Sequence, residues 1–229
     1  MLGEYEPDPL RRSFIPKENG DLRPLAIPTV KDRIVQTSAA LVLSPLLEPA
    51  FESSSHGYRP QRGIYTAITQ IELLREQGYA WVVDADIDNF FDEVDHDLLI
   101  TRAKEIIEDD KVIALIQQLL NTPIMEGFQA VTPTRGLPQG SPLAPLLANL
   151  YLDDFDDAMA ARDLKLVRYA DDFLVLCKSR DAAEDALEVV DALLAELRLA
   201  LEASKTSVTS FDAGFDYLGT YYQGKTVIS

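Results

Sequence analysis

Two pairs of acidic residues stand far apart in the chain, Asp84 with Asp86 and Asp171 with Asp172. Asp171 and Asp172 lie between two apolar runs, residues 166–170 and 173–177. Two unit charges ~4 Å apart repel by about 4 kcal/mol at an effective dielectric of ~20, so a fold gains nothing by placing them there unaided. A divalent cation reverses the sign of that interaction. Read alone, the pair also fits an ordinary solvated turn, because Asp favours turns. The second pair adds weight to the cation reading. Asp86 leaves a short β-branched and apolar run, residues 80–87, and a carboxylate there can meet the other two. Three converging carboxylates with open coordination positions suit Mg²⁺, which takes oxygen ligands and keeps water or phosphate oxygens. Two such ions ~3.5–4 Å apart are a known device for in-line phosphoryl or nucleotidyl transfer. Asp84, two residues before Asp86 on the same strand face, reads as a supporting or capping carboxylate.

A third feature is the turn-forming stretch Arg135-Gly136-Leu137-Pro138-Gln139-Gly140-Ser141-Pro142 ahead of an apolar helical pattern. Helix N-termini offer unpaired N–H groups to anions, although a loop and helix cap is the simpler reading of this stretch alone.

The elements that must carry these residues follow from periodicity. Residues 13–16 and 22–27 read as two strands joined by Glu18-Asn19-Gly20-Asp21, a strong hairpin signal. Residues 31–47 read as a helix bent near Pro45, and 62–77 as a helix stopped by Gly78. Residues 80–87 read as a strand, 97–108 and 111–121 as helices, and 131–136 as strand and turn. A long helix is expected over 142–162, a hairpin over 166–177 with the paired Asp residues at its bend, and a helix capped by Asp181 running to about Leu199. Residues 207–229 read as two or three short strands. The resulting order is an α+β pattern, helices on one side of an antiparallel sheet.

The 229 residues carry a net charge of −17, which counts against nucleic-acid binding. The charge is uneven. Residues 79–110 hold eleven acids and two bases, whereas residues 1–33 hold six of each. Such a chain should hold nucleic acid weakly by itself, since Lys and Arg contacts to phosphate supply most non-specific affinity; a basic partner segment is implied. Cys177 sits in an apolar run and reads as a small buried hydrophobe. No signal peptide or apolar span of ~20 residues is visible, so a cytoplasmic protein with no membrane is expected.

These residues together carry a resemblance. Tyr169-Ala170-Asp171-Asp172, the run Leu137 to Leu152 and Asp86-Ile87 with Phe90-Phe91-Asp92 look like motifs C, B and A of prokaryotic reverse transcriptases of the group II intron-like class. Upstream, Ile15-Pro16-Lys17, Leu22 to Leu25, Asp32-Arg33 and Gln36, then Ser55 to Pro60, resemble the fingers blocks. Lys205-Thr206 and Phe215 to Gly219 resemble the closing palm blocks. The end of the chain, near Tyr221 and Tyr222, is similar to reverse transcriptases joined to a CRISPR integrase.

The resemblance implies a right-hand polymerase: fingers over 1–78 with further finger residues near 111–135, and a palm over 79–229 with an RRM- or ferredoxin-like antiparallel sheet, without a thumb. It implies an RNA-directed DNA polymerase using two Mg²⁺ ions, Mn²⁺ able to substitute, to join a dNTP to a primer 3′-hydroxyl. Asp86, Asp171 and Asp172 would be catalytic ligands, with the Ile87 carbonyl assisting one ion. Lys17 and Arg23 would reach the triphosphate, against the alternative of a solvated hairpin. Gln139 and Gly140 would lie near the nucleotide. Phe91, or else Phe90, would exclude a 2′-hydroxyl. Lys205 would protonate pyrophosphate, or is a surface strand lysine. Arg59 and Tyr169 would contact template or primer, with fingers packing the alternative for Arg59. His56 and His96 read as structural. The implied partners are an RNA template, a DNA or RNA primer, and a thumb or further domain. The sequence departs from the class after Asp86-Ile87, where Asp88 and Asn89 replace the usual basic residue and glycine. The rival readings are an RNA-dependent RNA polymerase and an inert polymerase-like module of a defence or CRISPR integration complex.

Overall fold

The computed structural model describes residues 5–16, 20, 22–224 and 226–228. In chain order its elements are β1 (Leu10–Pro16), β2 (Leu22–Ile27), α1 (Val30–Leu47), α2 (Ile64–Glu76), β3 (Trp81–Asp86), α3 (Phe90–Glu93), α4 (His96–Ile106), α5 (Asp110–Leu120), β4 (Ile124–Glu126), β5 (Gln129–Val131), α6 (Ala144–Ala161), β6 (Lys165–Tyr169), β7 (Asp172–Cys177), α7 (Arg180–Glu196), β8 (Ser207–Ser210), β9 (Phe215–Tyr217), β10 (Thr220–Gln223) and β11 (Thr226–Ile228). They form two compact units, residues 1–50 with 90–151 and residues 51–89 with 152–229. Among the described residues no helix is long and apolar enough to cross a membrane.

The first unit holds a sheet in the order β2-β1-β4-β5. β1 and β2 pair antiparallel from Arg11 opposite Ile27 to Pro16 opposite Leu22, as expected of the two strands; of the Glu18-Asn19-Gly20-Asp21 turn all but Gly20 lies outside the described residues. α1 keeps Pro45 inside its last turn, and Thr29 caps its start by accepting from the Asp32 amide. α5 buries Ile113, Ile116, Leu119 and Leu120, a helical stripe. Of the strand and turn expected over 131–136, only Val131 belongs to a strand. β5 ends at Val131 after a tight hairpin with β4. Pro133 has no N–H to give a ladder, and Gly136 takes a φ of +88°. A Cβ at Gly136 would lie 2.9 Å from the Asp92 carbonyl oxygen, so only glycine lets this loop approach α3.

The second unit holds a sheet in the order β6-β7-β3-β8, every pair antiparallel. Side chains alternate between its faces. Val82, Asp84 and Asp86 of β3 therefore share a face with their cross-strand partners Leu176, Leu174 and Asp172. The far end of that face is covered by α2, whose Ala67, Ile71 and Leu74 join Val82, Val167, Leu174 and Leu176 in one buried cluster. Phe211, Phe215, Tyr217 and Tyr222 from the C-terminal segments complete it, Phe215 stacked on Tyr222. Phe173 faces the other way and meets Phe155 of α6, ring centroids 5.4 Å apart. Helices thus pack on both faces, not on one as the pattern suggested, because β6 and β7 are apolar on both parities. Among the described residues the C-terminal segment makes four strands rather than two or three: β8 joins the main sheet, and β9, β10 and β11 form their own.

The start of α7 also differs from expectation. Ser179, not Asp181, is the cap; its side chain accepts from the Ala182 amide, and Asp181 lies in the first turn. Ser179→Ala should cost about 1 kcal/mol in urea unfolding, and Asp181→Ala less than half of that, as expected for a charge near a helix start rather than its cap. Equal losses would return the cap to Asp181.

Candidate functional site

The register of β3 and β7 sets Asp86 directly opposite Asp172. Cross-strand partners have Cβ atoms ~4.5–5.5 Å apart, so their carboxyl groups share one end of one sheet face. Asp171 lies in the bend between β6 and β7, its carbonyl oxygen accepting from the Ile87 amide at 3.3 Å. Ala170 before it takes a φ of +61°, a left-handed conformation that turns the chain sharply enough for the two strands to meet. Asp84 sits one step back on the same face, opposite Leu174. Beyond the strand, the Asp86 carbonyl accepts from the Glu202 amide at 2.8 Å, and Asp88 N–H donates to the Ala200 carbonyl at 2.9 Å. Ile87, 2% exposed, is thereby clamped against Leu201. Tyr217 reaches from β9 to within hydrogen-bonding distance of the Asp172 and Val167 carbonyls, 3.2 and 3.3 Å.

The electrostatics record this crowding. Burial and the nearby Asp84, Asp86 and Asp171 push the Asp172 carboxyl up to about 7, with Lys205 opposing. Burial, then Asp86 and Asp216, push Asp84 up to about 6. Lys205 is raised, chiefly by its ion pair with Asp86. Among the described residues no three His, Cys, Asp or Glu side chains close around a point as a metal cage. The donor set nonetheless fits a hard cation: it is all carboxylate oxygen, it carries excess negative charge, and it leaves positions for phosphate and water oxygens. At present Lys205 answers that charge at Asp86.

The other predicted residues fall variously. Lys17 lies outside the described residues. Arg23 is exposed on β2, opposite Ile15. Phe90 is 1% exposed and packs against Phe91 and Tyr151, ring centroids 5.4 and 6.4 Å away; it belongs to a core. Phe91 is only half-buried. Gln139 is half-buried, its carbonyl accepting from the Ala26 amide at 2.8 Å, and Gly140 is exposed. Gln139 also lines a recess of about 120 Å³ with Leu10, Arg12, Ala26 and Arg135. Arg12 and Arg135 there pair with Glu126 and Glu93 at 3.0 and 2.7 Å.

Arg59 takes the packing alternative: 7% exposed, it donates to the Phe51, Glu52 and Ser55 carbonyls and lies over the Phe51 ring. Tyr169 is half-buried, 6.2 Å from the exposed Tyr58 ring. Lys205 sits in a turn before β8, not on a strand. His56 bonds Thr66 and Gln70 at 2.8 and 2.6 Å, and His96 meets the Gly136 carbonyl at 2.8 Å; both are structural. Cys177 is buried. Sequence reasoning passed over Arg168 and Asp156, which form a fully buried ion pair behind the bend. The available signal was a lone Arg inside an apolar strand.

Comparison with known proteins agrees with the architecture. Protein YkfC of Escherichia coli K12 is 31% identical over 96% of this chain and 68% of its own length. The group II intron-encoded protein LtrA of Lactococcus lactis is 41% identical over 72% of this chain but only 28% of its own length. A Candida tropicalis telomerase, solved with a TWJ fragment of telomeric RNA, superposes with a TM-score of 0.74 at 14% identity, covering 94% of this chain and 43% of that one; it speaks for the fold alone. Residues 15–222 match the family described as reverse transcriptase (RNA-dependent DNA polymerase). With nearly its whole length inside that match, and group II intron proteins among its relatives, the chain belongs to the reverse transcriptase family and carries a reverse-transcriptase polymerase core.

Proposed function

We propose that the chain copies RNA into DNA, adding a deoxynucleotide to a primer 3′-hydroxyl. The observation that carries this reading is the β3–β7 register, with Asp86 opposite Asp172 and Asp171 at the adjoining bend. Two divalent ions, Mg²⁺ with Mn²⁺ as substitute, would supply activation of the primer hydroxyl and neutralisation of the triphosphate when bound. Asp86, Asp171, Asp172 and the Ile87 carbonyl would hold them. Asp84 stays one step behind on the same strand face as a supporting carboxylate. Lys17 and Arg23 bind the triphosphate, Gln139 and Gly140 flank the nucleotide, and Tyr169 lies along template or primer. Lys205, held now by Asp86, is the proton donor to the leaving pyrophosphate.

In this reading residues 1–78, with others near 111–135, serve as fingers and residues 79–229 as palm. The β6-β7-β3-β8 strand order of the second unit, with Asp residues at the ends of its two central strands, supports the palm. The net charge of −17 and the 28% coverage of LtrA support a further basic segment or partner that holds the template.

Sugar selection tests the proposal. On a primed RNA template the chain should use dNTP in preference to NTP, and Phe91→Ala should narrow the ratio of kcat/KM values by about tenfold or more, the scale of a lost steric contact in a nucleotide pocket. Phe90→Ala should instead lower stability. Preference of the unsubstituted chain for NTP would overturn the assignment.

A further inference from the structure

We infer that Arg168, Asp156 and Ser55 form a buried brace that sets the conformation of the Tyr169–Asp172 bend, making Arg168 a positioning residue for the carboxylates. The inference rests on the function proposed above for those carboxylates, but its structural half stands apart from it.

Arg168 lies in β6, one residue before Tyr169, and its side chain and that of Asp156 are each 1% exposed. The guanidinium is almost fully committed. Its Nε donates to Asp156 Oδ1 at 2.8 Å, one Nη group donates to Asp156 Oδ2 and to Ser55 Oγ at 2.9 Å, and the other donates to the Ala170 carbonyl at 2.8 Å. The Ala170 contact matters most. Ala170 holds a φ of +61°, a conformation that L-residues avoid and that persists only where surroundings over-determine it. A charged donor fixed on its carbonyl supplies that determination, and the next residue is Asp171.

The backbone repeats the arrangement. Arg168 N–H donates to the Ser54 carbonyl and its carbonyl accepts from His56 N–H, both at 2.8 Å, so residues 54–56 run beside β6 as a short parallel bridge. Gly57 follows, packed so closely that a Cβ would stand 2.7 Å from the Ala170 amide nitrogen. The bend is therefore held from the side by Gly57 and from within by Arg168.

Buried ion pairs are poor stabilisers, because desolvation offsets their attraction; an apolar pair of similar volume often serves a fold as well. Geometry is the better reason for one here. A planar guanidinium can reach Asp156, Ser55 and the Ala170 carbonyl at once, whereas a lysine ammonium is a single point of charge.

Arg168→Lys separates positioning from charge. Two readouts are taken on the full chain: hydrogen exchange of a peptide spanning residues 167–173, and steady-state primer extension. The expected result is at least ~10-fold faster exchange in that peptide relative to the core of α7, with kcat down ~10-fold or more and KM for dNTP within ~2-fold. Exchange equal to that of the unsubstituted chain overturns the brace. Faster exchange with unchanged kcat overturns its catalytic role. If the unsubstituted chain extends no primer, the proposed activity fails while exchange alone still decides the brace. Should Arg168→Lys not fold, Ser55→Ala removes one contact only; a smaller rise in exchange at 167–173 supports the brace, and none overturns it.

Discussion

Asp171→Ala should slow primer extension on an RNA template at least about a thousandfold, a loss of about 4 kcal/mol of transition-state stabilisation. Asp171 sits at the bend where its carboxyl could serve the ions proposed to lie between Asp86 and Asp172, which face each other from opposite strands. The nearest other carboxylate on that face, Asp84, lies one step back opposite Leu174. Asp86→Ala should match it in size. Asp84→Ala should cost about tenfold or less, since Asp84 faces Leu174 and acts on the ions only through its field. The comparison is made at saturating Mg²⁺ and again with Mn²⁺, with circular dichroism to establish that each variant is folded. Equal extension by Asp171→Ala and the unsubstituted chain would leave a polymerase-like module without this chemistry. An Asp84→Ala loss as large as that of Asp171→Ala would instead make Asp84 a ligand.

The site's outline was legible in the sequence for a physical reason. Carboxylates at the end of an apolar strand and at the bend of an apolar hairpin are costly, and cost marks them out; period-2 alternation then gives their shared face. Strand pairing was less legible. Nothing local says that β7 rather than β8 lies opposite Asp86, and only the ordered motif resemblance suggested it. Phe90 and Phe91 differ by one residue and in burial: Phe90 packs against Tyr151 at 1% exposure, a difference that composition does not carry. Arg59 stood open between a template contact and packing, because the sequence does not show that the Phe51, Glu52 and Ser55 carbonyls surround it. Arg168 escaped notice for the converse reason. An arginine in an apolar strand is compatible with an edge, and its partner Asp156 is one of four Asp residues within 153–157 of α6, a stretch that looks like a solvated face. Long-range side-chain pairing is what a single sequence does not carry.

Crowded carboxylates imply that function and stability pull apart at Asp172, and the second large effect follows from that. In the unfolded chain an Asp carboxyl titrates near 3.8; in the fold, burial and the neighbouring Asp84, Asp86 and Asp171 push Asp172 up to about 7. Between those values the folded state keeps a proton that the unfolded state has released. Stability of the metal-free chain therefore falls as pH rises from about 4 to about 7, and the full penalty persists above that. Asp84, pushed up to about 6, adds a second fall ending lower. Because these groups interact, the apparent midpoints belong to the cluster and not to one carboxyl. Asp172→Asn removes the charge and keeps the shape. In EDTA at pH 8 it should be more stable than the unsubstituted chain, on the order of 2–4 kcal/mol at most, and the gain should vanish by pH 4. The same substitution should reduce extension by orders of magnitude. Saturating Mg²⁺ should stabilise the unsubstituted chain and do little for the variant, since a cation bound only to the folded state shifts the unfolding equilibrium by mass action. Urea unfolding at pH 4, 6 and 8, with EDTA or Mg²⁺, measures all three. A variant less stable than its parent at pH 8 in EDTA would mean that Asp172 is held by favourable contacts, not by repulsion waiting for a cation, and the two-ion reading would lose its electrostatic basis.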